Sequence, residues 1–162
     1  MASVTLDEAA ITAAIQQKLN ANTRRGWILC GYQTPSHIVL QKTGDGDTAE
    51  LVSNLADDQV QYAIIRLPDN KDGTETVRDV LVCWTGMFGY FRLPYCLRLT
   101  TQSDAGPAVK KIEAAKKKTH LGAVRNVLKP SHAEVEAINR ANFTEATLMS
   151  RSAPLSGSHV ID

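Results

Sequence analysis

Two near-continuous apolar runs in the middle of the chain, residues 60–67 and 79–84, constrain the fold more than any other feature. Both runs are rich in β-branched and aromatic side chains, as is typical of central strands that are covered on both faces. A polar, turn-rich segment, residues 68–76, separates them. We therefore predict two adjacent strands joined in a long hairpin that projects from the sheet.

Weaker signals place the other elements around this hairpin. Thr5 with Glu8, and Asp47 with Glu50, have the spacing of helix capping boxes. The predicted elements are, in chain order, a helix at residues 4–19, strands at 26–32 and 37–41, a short helix after residue 47, the two central strands, a long helix from Pro107, an edge strand at 132–138, and a last helix capped by Asn142. This order predicts an α/β domain of three layers, in which helices flank a central mixed sheet of about five strands.

Length and composition agree with one folded domain. The 162 residues suffice for a single α/β core, and we assign residues 1–150 to it. Residues 151–162 are small and polar, which predicts a flexible C-terminal tail. We expect no signal peptide, no myristoylation and no transmembrane segment. Three widely spaced cysteines indicate free thiols in a reducing compartment, so we predict a cytoplasmic protein.

The residue patterns give little support to catalysis. The four histidines are scattered, and none has metal-ligand spacing with another histidine or a cysteine. A calcium loop starting at Asp69 fails, because Lys71 and Val80 stand where oxygen ligands are required. The sequence also lacks glycine-rich phosphate-binding motifs. We predict a protein that is not an enzyme and that needs no metal and no cofactor.

Basic residues gather on the predicted long helix, namely Lys110, Lys111, Lys117 and Lys118, with Arg125 further along. A partner with an acidic surface requires such localised charge. The alternative is a solvated helix face without a partner. Nucleic acid is disfavoured, because no exposed aromatic pair accompanies the lysines and the net charge is only +1.

Several local strings, in their order along the chain, resemble the actin-depolymerising-factor-homology family and, within it, the coactosins. Residues 56–67 (ADDQVQYAIIRL) are similar to a paired aspartate followed by an aromatic-Ala-apolar-apolar-Arg strand. Residues 79–86 (DVLVCWTG) look like the next strand of that family, which ends in Trp-x-Gly. Residues 110–137 are similar to its long basic helix and the strand that follows. The likeness covers most of residues 4–150.

The resemblance implies the family's fold and a non-enzymatic, cytoskeletal function, in which the protein binds the side of actin filaments and modulates their dynamics. It also implies that Arg78 contacts filamentous actin, with contributions from Lys117 and Lys118. The further candidate actin-binding residues are Lys110, Lys111, Lys71 and Arg125. We expect a monomer, with phosphoinositides as further candidate partners. The alternative is a regulatory or scaffold domain that binds another protein or a phosphoinositide headgroup instead of actin.

Two features depart from the family's pattern. Residues 87–105 form a much longer segment than the short turn expected there, and carry nine large apolar side chains that cannot all be exposed. The projecting loop is acidic as well as basic, because four acidic side chains accompany Lys71 and Arg78. A weaker filament contact than in more basic relatives is therefore an alternative to the full family activity.

Overall fold

The computed structural model describes residues 3–86 and 119–162. Within these ranges the chain forms seven strands and four helices. They are β1 (Thr5–Leu6), α1 (Glu8–Lys18), β2 (Gly26–Thr34), β3 (His37–Gly44), α2 (Thr48–Asn54), β4 (Gln61–Lys71), β5 (Thr74–Trp84), α3 (Leu121–Val127), β6 (Ala133–Ala137), α4 (Glu145–Arg151) and β7 (Val160–Ile161). The predicted start of the long helix at Pro107 and the segment 87–105 lie outside the described residues.

All seven strands belong to one mixed sheet, in the order β1-β3-β2-β4-β5-β6-β7. The four strands β3, β2, β4 and β5 are antiparallel neighbours. Strand β6 runs parallel to β5, and the two-residue strands β1 and β7 are parallel additions at the two edges. The five predicted strands correspond to β2–β6, so the predicted fold class is confirmed, while the edge strands raise the count to seven.

Helices cover both faces of this sheet and create two separate cores. One core lies under α1 and α3 and includes Ile11, Ile15, Ile64 and Val124. The other lies under α2 and α4 and includes Leu51, Ile65, Trp84 and Leu148. The chain neighbours Ile64 and Ile65 are both fully buried, one in each core. Burial on both faces explains why the central strands are apolar at consecutive positions and do not alternate.

The starts of the first two helices were predicted with different success. Thr5 lies in β1, and Asp7 caps α1 by accepting a hydrogen bond from the amide of Ala10 at 3.4 Å. The predicted capping box at Thr5 is therefore wrong, because this residue pairs with β3 instead. For α2 the prediction is confirmed, since the Asp47 side chain accepts from the Glu50 amide at 3.1 Å.

The C-terminal segment also differs from expectation. Helix α4 is capped by Thr144, whose hydroxyl accepts from the Thr147 amide at 3.2 Å, and not by Asn142. In place of the flexible tail expected over residues 151–162, the chain returns to the sheet as β7, where Ile161 is 1% exposed. Strand β6, expected at the edge, is thus partly covered by β7. The alternation of small and charged residues in β6 is compatible with either position.

A buried ion pair joins the two central strands. Arg66 on β4 and Asp79 on β5 are cross-strand partners, and two parallel hydrogen bonds of 2.7 and 2.9 Å connect guanidinium and carboxylate. Their side chains are 7% and 1% exposed. The remaining terminal nitrogen of Arg66 donates to the carbonyls of Asn20 and Thr23, at 2.5 and 3.2 Å. The hydrogen bonding to Asp79, together with the charge of this carboxylate, raises the pKa of Arg66. The pair thereby fastens the loop after α1 to the sheet.

Replacing Trp84 with alanine should lower the free energy of unfolding by about 3–5 kcal/mol. The side chain is fully buried, and its indole N–H donates to the Ala56 carbonyl at 2.7 Å, so truncation leaves both a cavity and an unpaired carbonyl. Urea unfolding measures the change. As a control, the Leu155→Ala change should stay within about 0.5 kcal/mol, because Leu155 is 98% exposed. A Trp84→Ala curve that overlays the wild type contradicts the packing described here.

Removing one member of the buried ion pair should destabilise the protein more than removing both. We expect Arg66→Met and Asp79→Leu each to cost about 3–5 kcal/mol, because the remaining charge is buried without a partner. The double variant should lose less stability than either single variant, because it leaves no buried charge without a partner. A double-mutant cycle by urea unfolding tests this, and strictly additive losses would show that the two side chains do not depend on each other.

Candidate functional site

The β4–β5 hairpin extends beyond the rest of the sheet, as the sequence predicted. Pairing with β2 stops at Arg66, and pairing with β6 stops at Val80. Five further cross-strand pairs connect residues 67–71 with 74–78, and no other described strand lies beside them. Residues 72–73 close the hairpin with φ of +53° and +79°, as a two-residue turn requires. Both strands reach further into the polar segment than predicted.

Arg78 lies at the root of this projection and connects it to the end of α4. One terminal nitrogen donates to the Asp69 carboxylate at 2.6 Å, across the hairpin. The other donates to the carbonyl of Met149 and the hydroxyl of Ser152, both at 3.1 Å. The side chains of Arg78 and Asp69 are only 12% and 13% exposed. The guanidinium is therefore largely buried and shared between two elements.

A pocket of about 240 Å³ opens beside this root, between the hairpin and the segment after α4. Its lining includes the basic residues Lys71 and Arg78, the carboxylate of Asp69, and the ring of His132. The amide of Asp79 donates to Nδ1 of His132 at 2.9 Å, so the neutral ring carries its proton on Nε2. Lys71 and Arg78 carry two positive charges and Asp69 one negative charge, so the lining has a small positive excess that favours an anionic group.

The structure brings some of the predicted site residues together and separates others. Lys71 and Arg78 lie at the same pocket, on the face of the sheet that α4 covers. Arg125 lies on α3, which covers the opposite face, and its Nε contacts Glu134 of β6 at 2.6 Å. The hydrogen bond to Glu134 raises the pKa of Arg125. The remaining predicted residues, Lys110, Lys111, Lys117 and Lys118, lie outside the described residues.

Sequence reasoning missed one side chain at the hairpin, namely Arg24. It forms an ion pair with Glu75 of β5, and the two side chains are 68% and 62% exposed. Arg24 belongs to the polar stretch between α1 and β2, and no local pattern signals a partner so distant in the chain. The hydrogen bonds of Arg66 hold this stretch near the hairpin. The buried Arg66 and the exposed Arg24 therefore both connect the loop after α1 to the hairpin strands.

A second polar chain connects the sheet to the start of α3. The hydroxyls of Tyr62 and Tyr32 are 3.0 Å apart, and the Tyr32 hydroxyl lies 2.8 Å from Nδ1 of His120. Burial raises the pKa of Tyr32 to about 12 and raises the pKa of Tyr62 as well. Both phenols therefore stay protonated at neutral pH and can donate hydrogen bonds. These hydrogen bonds connect the sheet to His120, directly before α3.

The two described cysteines, Cys30 and Cys83, are buried in the core. Cys30 is 1% exposed, and burial raises the pKa of its thiol to about 12, so the nucleophilic thiolate is scarce at neutral pH. In residues 3–86 and 119–162 no three His, Cys, Asp or Glu side chains form a group that could hold a metal ion. None of the helices in these ranges has the length and apolar character needed to cross a membrane.

Comparison with known proteins identifies two drebrin-like proteins as relatives. The chain is 28% identical to drebrin-like proteins A and B of Xenopus laevis over 152 residues, which is 93% of this chain. Those residues are 29% of drebrin-like protein A and 35% of drebrin-like protein B. The chain thus spans about a third of the length of these relatives. The likeness concerns one part of each of them.

Solved structures show the same fold at low sequence identity. Human coactosin-like protein in solution matches with a TM-score of 0.72 at 18% identity, covering 98% of this chain and 93% of that one. Coactosin of Entamoeba histolytica matches with a TM-score of 0.64 at 22% identity, covering 91% and 93%. Mouse coactosin matches with a TM-score of 0.65 at 19% identity, covering 98% and 95%. The fold implied by the resemblance is confirmed as that of coactosin-like proteins.

The family itself is shown by a direct sequence match. The model of the cofilin/tropomyosin-type actin-binding proteins matches residues 3–89, which is more than half of the chain. The matched segment includes β4 and β5, and with them the projecting hairpin. This chain belongs to the family of cofilin/tropomyosin-type actin-binding proteins.

Proposed function

We propose that this protein binds the side of actin filaments and modulates their dynamics by occupying the filament surface. Membership of the actin-binding family supports actin as the partner. Mouse coactosin, which shares the fold, is an actin filament binding protein. The observation that carries the proposal is the hairpin: five residue pairs project beyond the sheet, with a basic pocket at their root. The activity is non-enzymatic, and the protein works at the cytoskeleton in the cytoplasm.

The filament contact is electrostatic in its main part. Lys71 is exposed near the tip of the hairpin and lines the basic pocket, so it is the cation best placed to meet an acidic surface. Arg78, for which the family resemblance implies a contact, lies at the root of the same projection. The second proposed group of cations consists of Lys110, Lys111, Lys117, Lys118 and Arg125. Attraction between exposed charges is screened beyond about 8–10 Å at physiological ionic strength, so binding should weaken as salt is added.

High-speed co-sedimentation with filamentous actin tests the proposal. The wild-type protein should pellet saturably, and more tightly at low than at physiological salt. Charge reversal in Lys71→Glu should weaken the affinity on the order of tenfold, because it replaces attraction by repulsion at the hairpin tip. Lys42→Glu is the matched control, since Lys42 is also exposed but lies on β3, two strands away from β4. We expect little change in that variant.

A Lys117→Glu/Lys118→Glu variant tests the second group of cations in the same assay and should also weaken pelleting. Equal losses from Lys42→Glu and Lys71→Glu would show a response to overall charge and contradict a defined contact at the hairpin. No pelleting of the folded wild-type protein at either salt would overturn filament binding. That result would leave the alternative, a regulatory or scaffold domain for another protein or a phosphoinositide headgroup.

A further inference from the structure

We propose that Arg78 is a positioning residue, which clamps the projecting hairpin to the end of α4 and is not itself the contact with the filament. The inference rests on the proposed function, because it assigns a role within the same actin-binding surface. It replaces the contact role that the family resemblance implies for this position.

The projecting part of the hairpin needs support from outside itself. A two-stranded ribbon is marginally stable in water without a third strand or a packed helix, and residues 67–71 and 74–78 have no other described strand beside them. One external contact of these residues is the ion pair of Glu75 with Arg24, which is more than half exposed on both sides. Exposed pairs of this kind stabilise by little. Leu67, at the root, is fully buried in the core under α2 and α4. Among the polar attachments of the projecting residues, the partly buried contacts of Arg78 with α4 are stronger than the exposed pair.

The guanidinium fits this role because it faces two elements at once. It reaches Asp69 across the hairpin with one nitrogen, and the end of α4 with the other. The Met149 carbonyl belongs to the last turn of α4, where carbonyls lack backbone partners within the helix, and it also accepts from the Ser152 hydroxyl at 3.2 Å. Ser152 is 3% exposed. A planar fork can satisfy both sides, whereas a lysine ammonium is a single point charge on a flexible stem.

The same geometry argues against a direct contact between Arg78 and the filament. The side chain is 12% exposed, and the carboxylate of Asp69, 2.6 Å away, already neutralises its charge. If the guanidinium turned toward an acidic partner, Asp69 would be left largely buried without a counter-charge, which is unfavourable. Lys71, by contrast, is exposed and has no ion pair among the described residues. The filament charge is therefore met by Lys71, on a hairpin that Arg78 holds in place.

The two roles predict opposite outcomes for Asp69→Asn. This variant removes one negative charge from the hairpin and frees Arg78, so a contact role predicts tighter filament binding. The clamp role predicts binding weakened by about three- to tenfold, although the hairpin becomes more positive. Asp72→Asn is the charge-matched control: Asp72 is exposed at the turn, with φ of +53°, a conformation that asparagine tolerates. It should bind as tightly as the wild type or more tightly.

Arg78→Lys completes the set, because it keeps the charge and removes the fork. The clamp role predicts weakening similar to Asp69→Asn, whereas a contact role predicts near-wild-type affinity. Binding is measured by co-sedimentation at several salt concentrations. Both clamp variants should keep the wild-type salt dependence, because the contacting cations are unchanged, while Lys71→Gln should reduce it. Urea unfolding of each variant shows that a weaker affinity does not come from an unfolded protein.

Hydrogen–deuterium exchange without actin tests the clamp independently of the proposed function. Amides of residues 69–77 should exchange about tenfold faster in Asp69→Asn and Arg78→Lys, and at the wild-type rate in Asp72→Asn. Unchanged exchange in the clamp variants, or tighter filament binding by Asp69→Asn, overturns the inference even where the wild type binds filaments. If the wild type does not pellet but the clamp variants exchange faster, the clamp exists, and it is filament binding that fails.

Discussion

The ion pair of Arg66 and Asp79 lies at the boundary between the sheet and its projection. On one side of it, β4 and β5 are flanked by β2 and β6 and covered by helices; on the other, they continue as a two-stranded ribbon. Charges buried to this degree demand complete pairing, and the structure supplies it from three segments: both central strands and the loop after α1. The direction in which the hairpin leaves the core, and the position of Arg24 beside it, depend on this pair.

The candidate site follows from that arrangement. The ribbon is anchored at its base by the buried ion pair and, one residue further along β5, by Arg78. It therefore presents Lys71 at a defined position and not at the end of a mobile loop. Rigidity of this kind reduces the entropy lost when a partner is bound. Residues 70–76 of the ribbon are exposed and mostly polar, which leaves this part of it available to a partner. Support from side chains replaces the support that neighbouring strands give to the rest of the sheet.

The central strands could be predicted from sequence, because a strand that is buried on both faces needs apolar residues at consecutive positions. This pattern is visible at residues 60–67 and 79–84. The edges could not be predicted. Thr5 has the spacing of a helix cap, but its backbone pairs with β3, and the tail after residue 151 has a composition that is common in loops. In both segments the conformation depends on pairing with a neighbouring strand, β3 or β6, and local sequence patterns do not reveal this pairing. The cap at Asp47 was predictable because all its partners are local.

For the candidate site the limit was of the same kind. The sequence placed Lys71 on the hairpin. It could not show that the Arg78 guanidinium binds the end of α4, because Met149 and Ser152 are far from Arg78 in the chain. A basic residue before a strand has the same appearance whether it is exposed or clamped. Only burial and hydrogen-bond partners distinguish the two. The opposite faces occupied by Arg78 and Arg125 likewise follow from strand and helix placement and have no signature in spacing.

The shortness of β1 and β7 bears on how the protein behaves when it is concentrated. Each edge of the sheet ends in a strand of two residues, and the uncovered part of β3 carries Gln41 and Lys42 exposed to solvent. An open edge is a template for pairing with another chain, and short strands and charges blunt it. Most of each central apolar run, which would be prone to aggregate if exposed, thus lies between paired strands and away from these two edges.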